Sequence, residues 1–392
     1  MKTLLKGIQL NGKPTNILIN GNRFESVNAP DNAYANTAIE CHRYAILPAF
    51  YNAHNHAAMT ILRGYADDMP LQTWLEDHIW PKERAMGRAE VYEGSVMAIN
   101  EMISSGTVFF NDMYFSMSRT ATAVREKGIR AAIGVTYMDS YSDKMKASKE
   151  DRICNWMEDQ DSMIQITAAP HAVYTVSGEN LQKLYRLARD HGRRFHIHVS
   201  ETKKEVEDCV KAFGMTPVRY LDKLGVLGPD VIAAHCVHVD KEEWDILASR
   251  GVTVVHCPCS NMKLGSGRFP YEMAIASGVR ITLGTDGCSS NNNLDMREEM
   301  KFAALLAKLN GDTSLLSAPE VLKWATVNGA EAFGIDAGVI ADGKLADAII
   351  VDLASPRMRP CYNLISNWVY AADSSCIRMV LCNGKIILDK RS

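Results

Sequence analysis

The stretch Leu47–Asp68, LPAFYNAHNHAAMTILRGYADD, carries an apolar run that ends in His54-Asn55-His56. On a helix, residues two apart point to different sides. On a strand, with its period of two, they share a face. Two imidazoles aimed the same way past an apolar strand form an arrangement that a cation can use, because their ring nitrogens converge. Alone, a His-x-His pair is a weak signal, and its weight depends on what the other strands carry.

Eight apolar strand-like runs follow one another through the middle of the chain: YAILPAFYNAHNH, GTVFFNDMY, IRAAIGVTYM, IQITAAPHAVY, RRFHIHVSE, VIAAHCVHV, VTVVHCPCSN and VRITLGTDG. Amphipathic helix patterns such as AEVYEGSVMAINEMIS and GENLQKLYRLARDHG lie between most of them. Eight β–α alternations over roughly 300 residues predict a (β/α)8 TIM barrel. A doubly wound open sheet is the runner-up, weakened by the absence of a GxGxxG turn after the first strand. The chain ends read differently. TNILINGNRFESV is two strand-like runs around Asn20-Gly21, and ADAIIVDL and IRMVLCNGKIILDK near the C-terminus have a second Asn-Gly at 383 and 384. Such dipeptides mark hairpins. Neither end has enough residues for its own core, so both are expected to pair into one small β-sandwich domain, 1–47 with 347–392, beside a catalytic barrel of 48–346.

Composition narrows the function. The chain has 392 residues, 47% hydrophobic and 23% charged, with a formal net charge of −3. That gives no electrostatic footprint for nucleic acid or an anionic membrane. No apolar run reaches spanning length, and MKTLLKGIQLNG meets lysine and glycine too soon for a signal peptide, so a cytoplasmic protein is expected. The ten cysteines are scattered, which fits reduced thiols better than a disulfide framework. Cys257-Pro258-Cys259 has no second pair to complete a thiolate metal site.

A barrel strand buried on both faces should be almost wholly apolar. Here the polar exceptions cluster at the C-terminal ends of the runs: His54 and His56, Asn111 and Asp112, His171, His198 with Glu201 three residues on, His235, His256 and Asp286. In a barrel those ends converge on one mouth, where such folds keep their chemistry. A single buried histidine is usually a satisfied core residue, but a whole set of strand ends bearing histidine or aspartate is not explained that way. His54 and His56, a third imidazole from the fifth run and a carboxylate suit Zn²⁺ or a similar divalent ion. The third imidazole is His198 or His196, and His198 is nearer the strand's C-terminal end. Asp286 is the carboxylate, in a GTDG turn whose glycines permit close backbone approach.

The segments PAFYNAHNHAAMTILRGYADD, HIHVSET, AAHCVHVD and LGTDGCSSNNNLDM resemble the amidohydrolase superfamily. Within it they are similar to the adenosylhomocysteine and methylthioadenosine deaminases, a subgroup that also holds chlorotriazine hydrolases. LQTWLEDHIWPKE, GVIADGKLADAIIVDL and NLISNWVYAADSS extend the match over nearly the whole chain. The resemblance implies one divalent metal, usually zinc with iron as the alternative, held by His54, His56, His198 and Asp286. His171, rather than a lysine, ends the fourth run, which favours a single ion. It implies that Glu201 protonates a ring nitrogen, that His235 hydrogen-bonds the nucleophilic water, that Asp286 takes the water's proton, and that Trp74, Glu83 and His171 contact the purine and ribose. The expected function is hydrolytic release of ammonia from an adenine nucleoside or thionucleoside, a small-molecule substrate. The alternative keeps the site and changes the ring, to guanine, a pterin, cytosine or a chlorotriazine. A non-catalytic barrel with a structural metal leaves Glu201 and His235 without a purpose.

Two departures bear on substrate. HCPCSNMKLGSG stands where many relatives have HNPxSNxKL. Where relatives that bind an amino-acid tail carry arginines, residues 138–152 offer Lys144, Lys146, Lys149 and Arg152, and lysine lacks the bidentate fork that arginine presents to a carboxylate. His42, His78 and His191 read as surface or satisfied positions. His238 and His256 lie near the mouth, and Met59, Met69, Met113 and Met138 lie close to the motifs. A homo-oligomer is possible, since relatives commonly assemble, but no interface is visible in the sequence.

Overall fold

The computed structural model describes residues 1–140 and 161–391. The N-terminal region forms β1 (Lys2–Leu10), β2 (Lys13–Asn20), β3 (Arg23–Ser26), β4 (Thr37–Glu40) and β5 (Tyr44–Pro48). Eight strands follow: β6 (Phe50–Asn55), β7 (Thr107–Tyr114), β8 (Arg130–Tyr137), β9 (Ile164–Pro170), β10 (Arg194–Val199), β11 (Val231–His235), β12 (Thr253–His256) and β13 (Arg280–Leu283). They pair in sequence order, all parallel. The two edges meet where Asp286 N donates to His54 O at 3.1 Å and Asn55 bridges Asp286 in parallel, which closes the barrel. Every residue of β7 and β11 is buried, as strands covered on both faces require. The outer helices turn one stripe inward. The helix Gly178–Asp190 buries Leu181, Leu184, Tyr185 and Ala188, a spacing of three and four.

The C-terminal strands β14 (Ala348–Asp352), β15 (Ile377–Cys382) and β16 (Lys385–Asp389) join the N-terminal ones in a separate mixed sheet. Its order is β16-β15-β14-β5-β1-β2-β3, with β4 on β1. Leu5, Ile8, Ile17, Phe24, Ile46, Ile350, Met379 and Leu381 share its core. The turn at Asn383 (φ 53°) and Gly384 (φ 74°) is left-handed at both central residues, as a tight hairpin favours. The sequence also holds a surprise at the first apolar run. Tyr44–Pro48 pairs antiparallel with β14, and only from Phe50 does the chain pair with β7. Pro48 has no N–H to extend the first ladder, and Ala49 turns the chain by donating to Asp347 O at 3.4 Å. One continuous apolar run thus serves two sheets.

The N-terminal end of the barrel is tied to this sheet by a buried polar cluster. Arg130 Nη1 donates to Asp347 Oδ2 at 2.5 Å, with side chains 5% and 0% exposed. The Tyr51 hydroxyl and the Asn383 N–H donate to the same carboxylate. No helix among the described residues is long and apolar enough to cross a membrane.

Candidate active site

At the opposite end of the barrel, β6 places His54 in the wall and hands His56 to the start of the short helix Ala57–Leu62. The Nε2 atoms of His54 and His56 lie 3.3 and 3.2 Å from Asp286 Oδ1. His54, His56 and Asp286 form one group of converging donor atoms, and His54, His198 and His235 form another. Each ring is held from behind. His56 Nδ1 donates to Met113 O at 2.6 Å and His198 Nδ1 to His171 O at 2.7 Å. His235 Nδ1 donates to Asn261 Oδ1 at 2.9 Å. His54 Nδ1 shares a 2.9 Å hydrogen bond with His196 Nε2, so the second histidine of that strand faces a ring rather than the open site. The Nε2 atoms of His56, His198 and His235 are thereby turned toward the open site, and the buried His54 Nε2 has no hydrogen-bond partner. Imidazoles oriented through one nitrogen and free at the other, beside a carboxylate, fit a divalent cation.

The backbone is bent to bring them together. Asp286 (φ 59°), His235 (φ 72°) and Ser200 (φ 49°) are all left-handed without being glycine, the sort of strain that a surrounding structure must hold in place. Gly284 has to be glycine, because a Cβ there would stand 2.9 Å from the backbone of His54. Asp286 accepts from Ser260 Oγ at 2.6 Å and from the Gly287 N–H at 2.8 Å. Burial opposes its charge, yet the His54 and His56 rings beside it hold its carboxyl well below the usual range. For His56, burial again opposes charge, and the Asp286 carboxylate carries it to about 9. Burial lowers His54 to about 4 and His171 to about 3.

Glu201 is 7% exposed. Its carboxyl lies 3.9 Å from His235 Nε2 and accepts from Ser266 Oγ at 3.1 Å. Burial raises its proton affinity, and the neighbouring His235 opposes that. Behind it, Glu205 accepts from the Ser200 and Glu201 N–H groups at 2.9 and 2.7 Å. His56, His171, His198, Glu201, His235 and Asp286 all line one cavity of about 660 Å³. The segment after β6 closes its far side with Leu71, Trp74, Leu75, Ile79, Trp80 and Glu83. Burial pushes Glu83 up to about 7, opposed by a hydrogen bond from Tyr114.

The predicted site residues His54, His56, Trp74, Glu83, His171, His198, Glu201, His235 and Asp286 thus meet at one place. Others do not. His256 stacks on Phe269 and hydrogen-bonds the Tyr271 hydroxyl, and His238 Nε2 donates to Ser266 O, so neither lines the cavity. Met59, Met113 and Met138 line it and Met69 does not. Among the described residues, Cys257 and Cys259 belong to no converging ligand group. Lys144, Lys146, Lys149 and Arg152 fall outside the described residues. His196, the alternative third imidazole by sequence, backs His54 instead, and the supporting Ser260, Asn261, Ser266 and Glu205 were not expected from the sequence. A signal for two of them was in view, since Ser260 and Asn261 are the Ser-Asn of HCPCSNMKL.

A closed parallel barrel whose mouth gathers histidines and an aspartate with free lone pairs is the architecture of a metal-dependent hydrolase. The chain belongs to the amidohydrolase family, whose model matches residues 45–387. It is 46% identical to the 5-methylthioadenosine/S-adenosylhomocysteine deaminase 1 of Archaeoglobus fulgidus over 91% of this chain and 85% of that one. It is 45% identical to the 5'-deoxyadenosine deaminase of Methanothermobacter thermautotrophicus, over 95% of this chain and 88% of that protein. An adenosine deaminase from Xanthomonas campestris, solved with bound zinc, superposes with a TM-score of 0.94 at 34% identity, covering 100% of this chain and 93% of that one.

Proposed function

We propose that this protein is a hydrolytic deaminase that releases ammonia from the amino group of an adenine nucleoside or thionucleoside, of the methylthioadenosine, 5'-deoxyadenosine, adenosine or adenosylhomocysteine type. The observation that carries the reading is Glu201: a buried carboxyl of raised proton affinity, lining the same cavity as His56, His198, His235 and Asp286. The relatives named for such substrates match over most of this chain, which supports the choice of ring.

In this reading His54, His56, His198 and Asp286 hold one divalent ion, zinc in preference to iron, as the bound zinc of the Xanthomonas campestris protein supports. A divalent cation there supplies Lewis acidity and brings deprotonation of a water into the neutral range. The chain's own groups do the rest. His235, donating through Nδ1 to Asn261, presents the Nε2 lone pair to the attacking water and fixes its direction. Glu201 donates a proton to the ring nitrogen beside the amine-bearing carbon and is recharged by the first proton of the water, so negative charge does not build up there as water adds. Asp286, with Oδ2 occupied by Ser260, accepts the water's remaining proton and passes it to the departing amine, which leaves as ammonia. General acid–base steps of this kind contribute about 10²–10⁴-fold. His171, Trp74 and Glu83 contact the purine and ribose, and the apolar wall around Trp74 keeps bulk water from the reacting carbon.

The test is ammonia release against adenosine, 5'-deoxyadenosine, methylthioadenosine, adenosylhomocysteine, guanine, cytosine and pterins. Turnover confined to the adenine nucleosides is expected. Turnover of guanine, cytosine or a pterin alone moves the reading to another ring, and no turnover by metal-loaded protein overturns it.

A further inference from the structure

The apolar wall that closes the cavity is not part of the barrel core. Met59, Leu62, Trp74, Leu75, Ile79 and Tyr114 form a separate cluster, against which Trp80 and Leu264 pack. The chain reaches this wall through the stretch from Arg63 to Pro70. That stretch turns through left-handed Gly64 (φ 70°), Ala66 (φ 60°) and Asp68 (φ 61°), two of them non-glycine. A strained connection feeding a small satellite cluster needs an anchor.

One is present. Asp67 Oδ1 accepts from Lys263 Nζ at 2.6 Å, with side chains 31% and 20% exposed. Lys263 also donates to Ser289 O at 3.2 Å and to Asn292 Oδ1, which uses all three ammonium hydrogens. Asn292 Nδ2 reaches back to Asp67 Oδ2 at 3.4 Å. The Lys263 hydrogen bond holds the Asp67 carboxyl below its usual range. Lys263 ends the helix Pro258–Lys263, whose Ser260 and Asn261 support Asp286 and His235. Ser289 lies in the short helix Cys288–Asn291 that follows Asp286, Asn292 caps that helix, and Ser290 between them lines the cavity. Among the described residues, this is the one ion pair that joins positions 64–85 to the rest of the chain.

We propose that Asp67 and Lys263 are positioning residues for substrate: their ion pair seats the wall carrying Trp74, Trp80 and Glu83 against the loops that hold the reacting groups. Neither touches the substrate. The pair sets how well the cavity is closed around a bound ring, so it governs KM rather than the chemical step. The inference rests on the cavity being the substrate site, and one of its two readouts needs no substrate.

The experiment compares the wild type with Asp67→Ala, Asp67→Glu and Lys263→Met, all with metal content measured. The kinetic readout uses the best substrate of the panel above. The structural readout is hydrogen exchange of backbone amides 71–85. Asp67→Ala is expected to raise KM about fivefold, the scale of one partly exposed ion pair, with kcat nearly unchanged. It is expected to speed exchange in 71–85, while Asp67→Glu restores both. Lys263→Met should resemble Asp67→Ala with metal retained. Wild-type KM and exchange in Asp67→Ala would overturn the inference, as would a loss of kcat at unchanged KM. If the panel shows no turnover, the functional reading fails on its own and hydrogen exchange still decides whether the pair seats the wall.

Discussion

Two buried polar clusters sit at opposite ends of the same barrel, and they are finished differently. At the N-terminal end the Asp347 carboxylate takes Arg130, Tyr51 and the Asn383 N–H, so the charge is matched within the chain. At the C-terminal end every ring is fixed through one nitrogen, yet His54 Nε2 is buried with no partner, and the other rings aim their free nitrogens at the same space. Burying an unmatched polar atom costs stability unless something else supplies its partner. The closed cluster holds two sheets together. The open one has donor capacity reserved for a cation and a substrate.

The comparison breaks most visibly at His54. In His54→Ala we expect metal content to fall from close to one ion per chain to near zero, and turnover to drop to background. Full occupancy in that variant, or close to two ions per chain in the wild type, would overturn the single-ion site. Removing the ion from the wild type with a chelator should abolish turnover, and zinc should restore it. Glu201→Gln comes next. It leaves the ligands in place, so metal should be retained while turnover falls about 10²–10⁴-fold, the contribution of one proton-transfer group. Normal turnover in Glu201→Gln would remove the proton-donor role.

Much of this was legible in the sequence because a barrel converts a one-dimensional pattern into a place. Eight apolar runs gave eight strands, and polar residues at their C-terminal ends had to share a mouth. What stayed hidden depends on which way a side chain turns once it arrives. His256 ends β12 as His235 ends β11, but Phe269 and Tyr271 draw it away from the cavity. His196 and His198 share a strand face by their spacing, yet one backs His54 and the other opens to the site. The Tyr44–His56 run looks like one strand, and only the competing ladder of β14 reveals the break after Pro48. Ser266 on Glu201 and Ser260 on Asp286 are contacts across 65 and 26 residues, set by tertiary approach with no local periodicity to announce them.

That supporting layer sharpens the contrast at a smaller scale. Asn261 is the hydrogen-bond acceptor that fixes the His235 ring, so Asn261→Ala frees the ring to rotate and change tautomer. A loss of about 10–100-fold in kcat/KM with metal retained is expected, as for other groups that orient a site residue from behind. Unchanged kcat/KM would mean that packing alone orients His235.

The smallest effect on turnover is expected at the other cluster, and it is the sharpest check on the contrast. Asp347→Asn leaves Arg130 buried beside a neutral amide, and breaking a buried pair from one side costs about 3–5 kcal/mol of stability. The denaturation midpoint should fall accordingly. Turnover per folded, metal-loaded molecule should stay at the wild-type value, because no hydrogen bond of the cluster reaches the cavity groups: Arg130, Tyr51 and Asn383 meet at Asp347, at the far end of the strands. A variant that kept its stability would show that Tyr51 and Asn383 suffice to satisfy the site. A variant that folded, held its ion and still lost turnover would show that strain at one end of the barrel reaches the other, and the two clusters would then be parts of one machine.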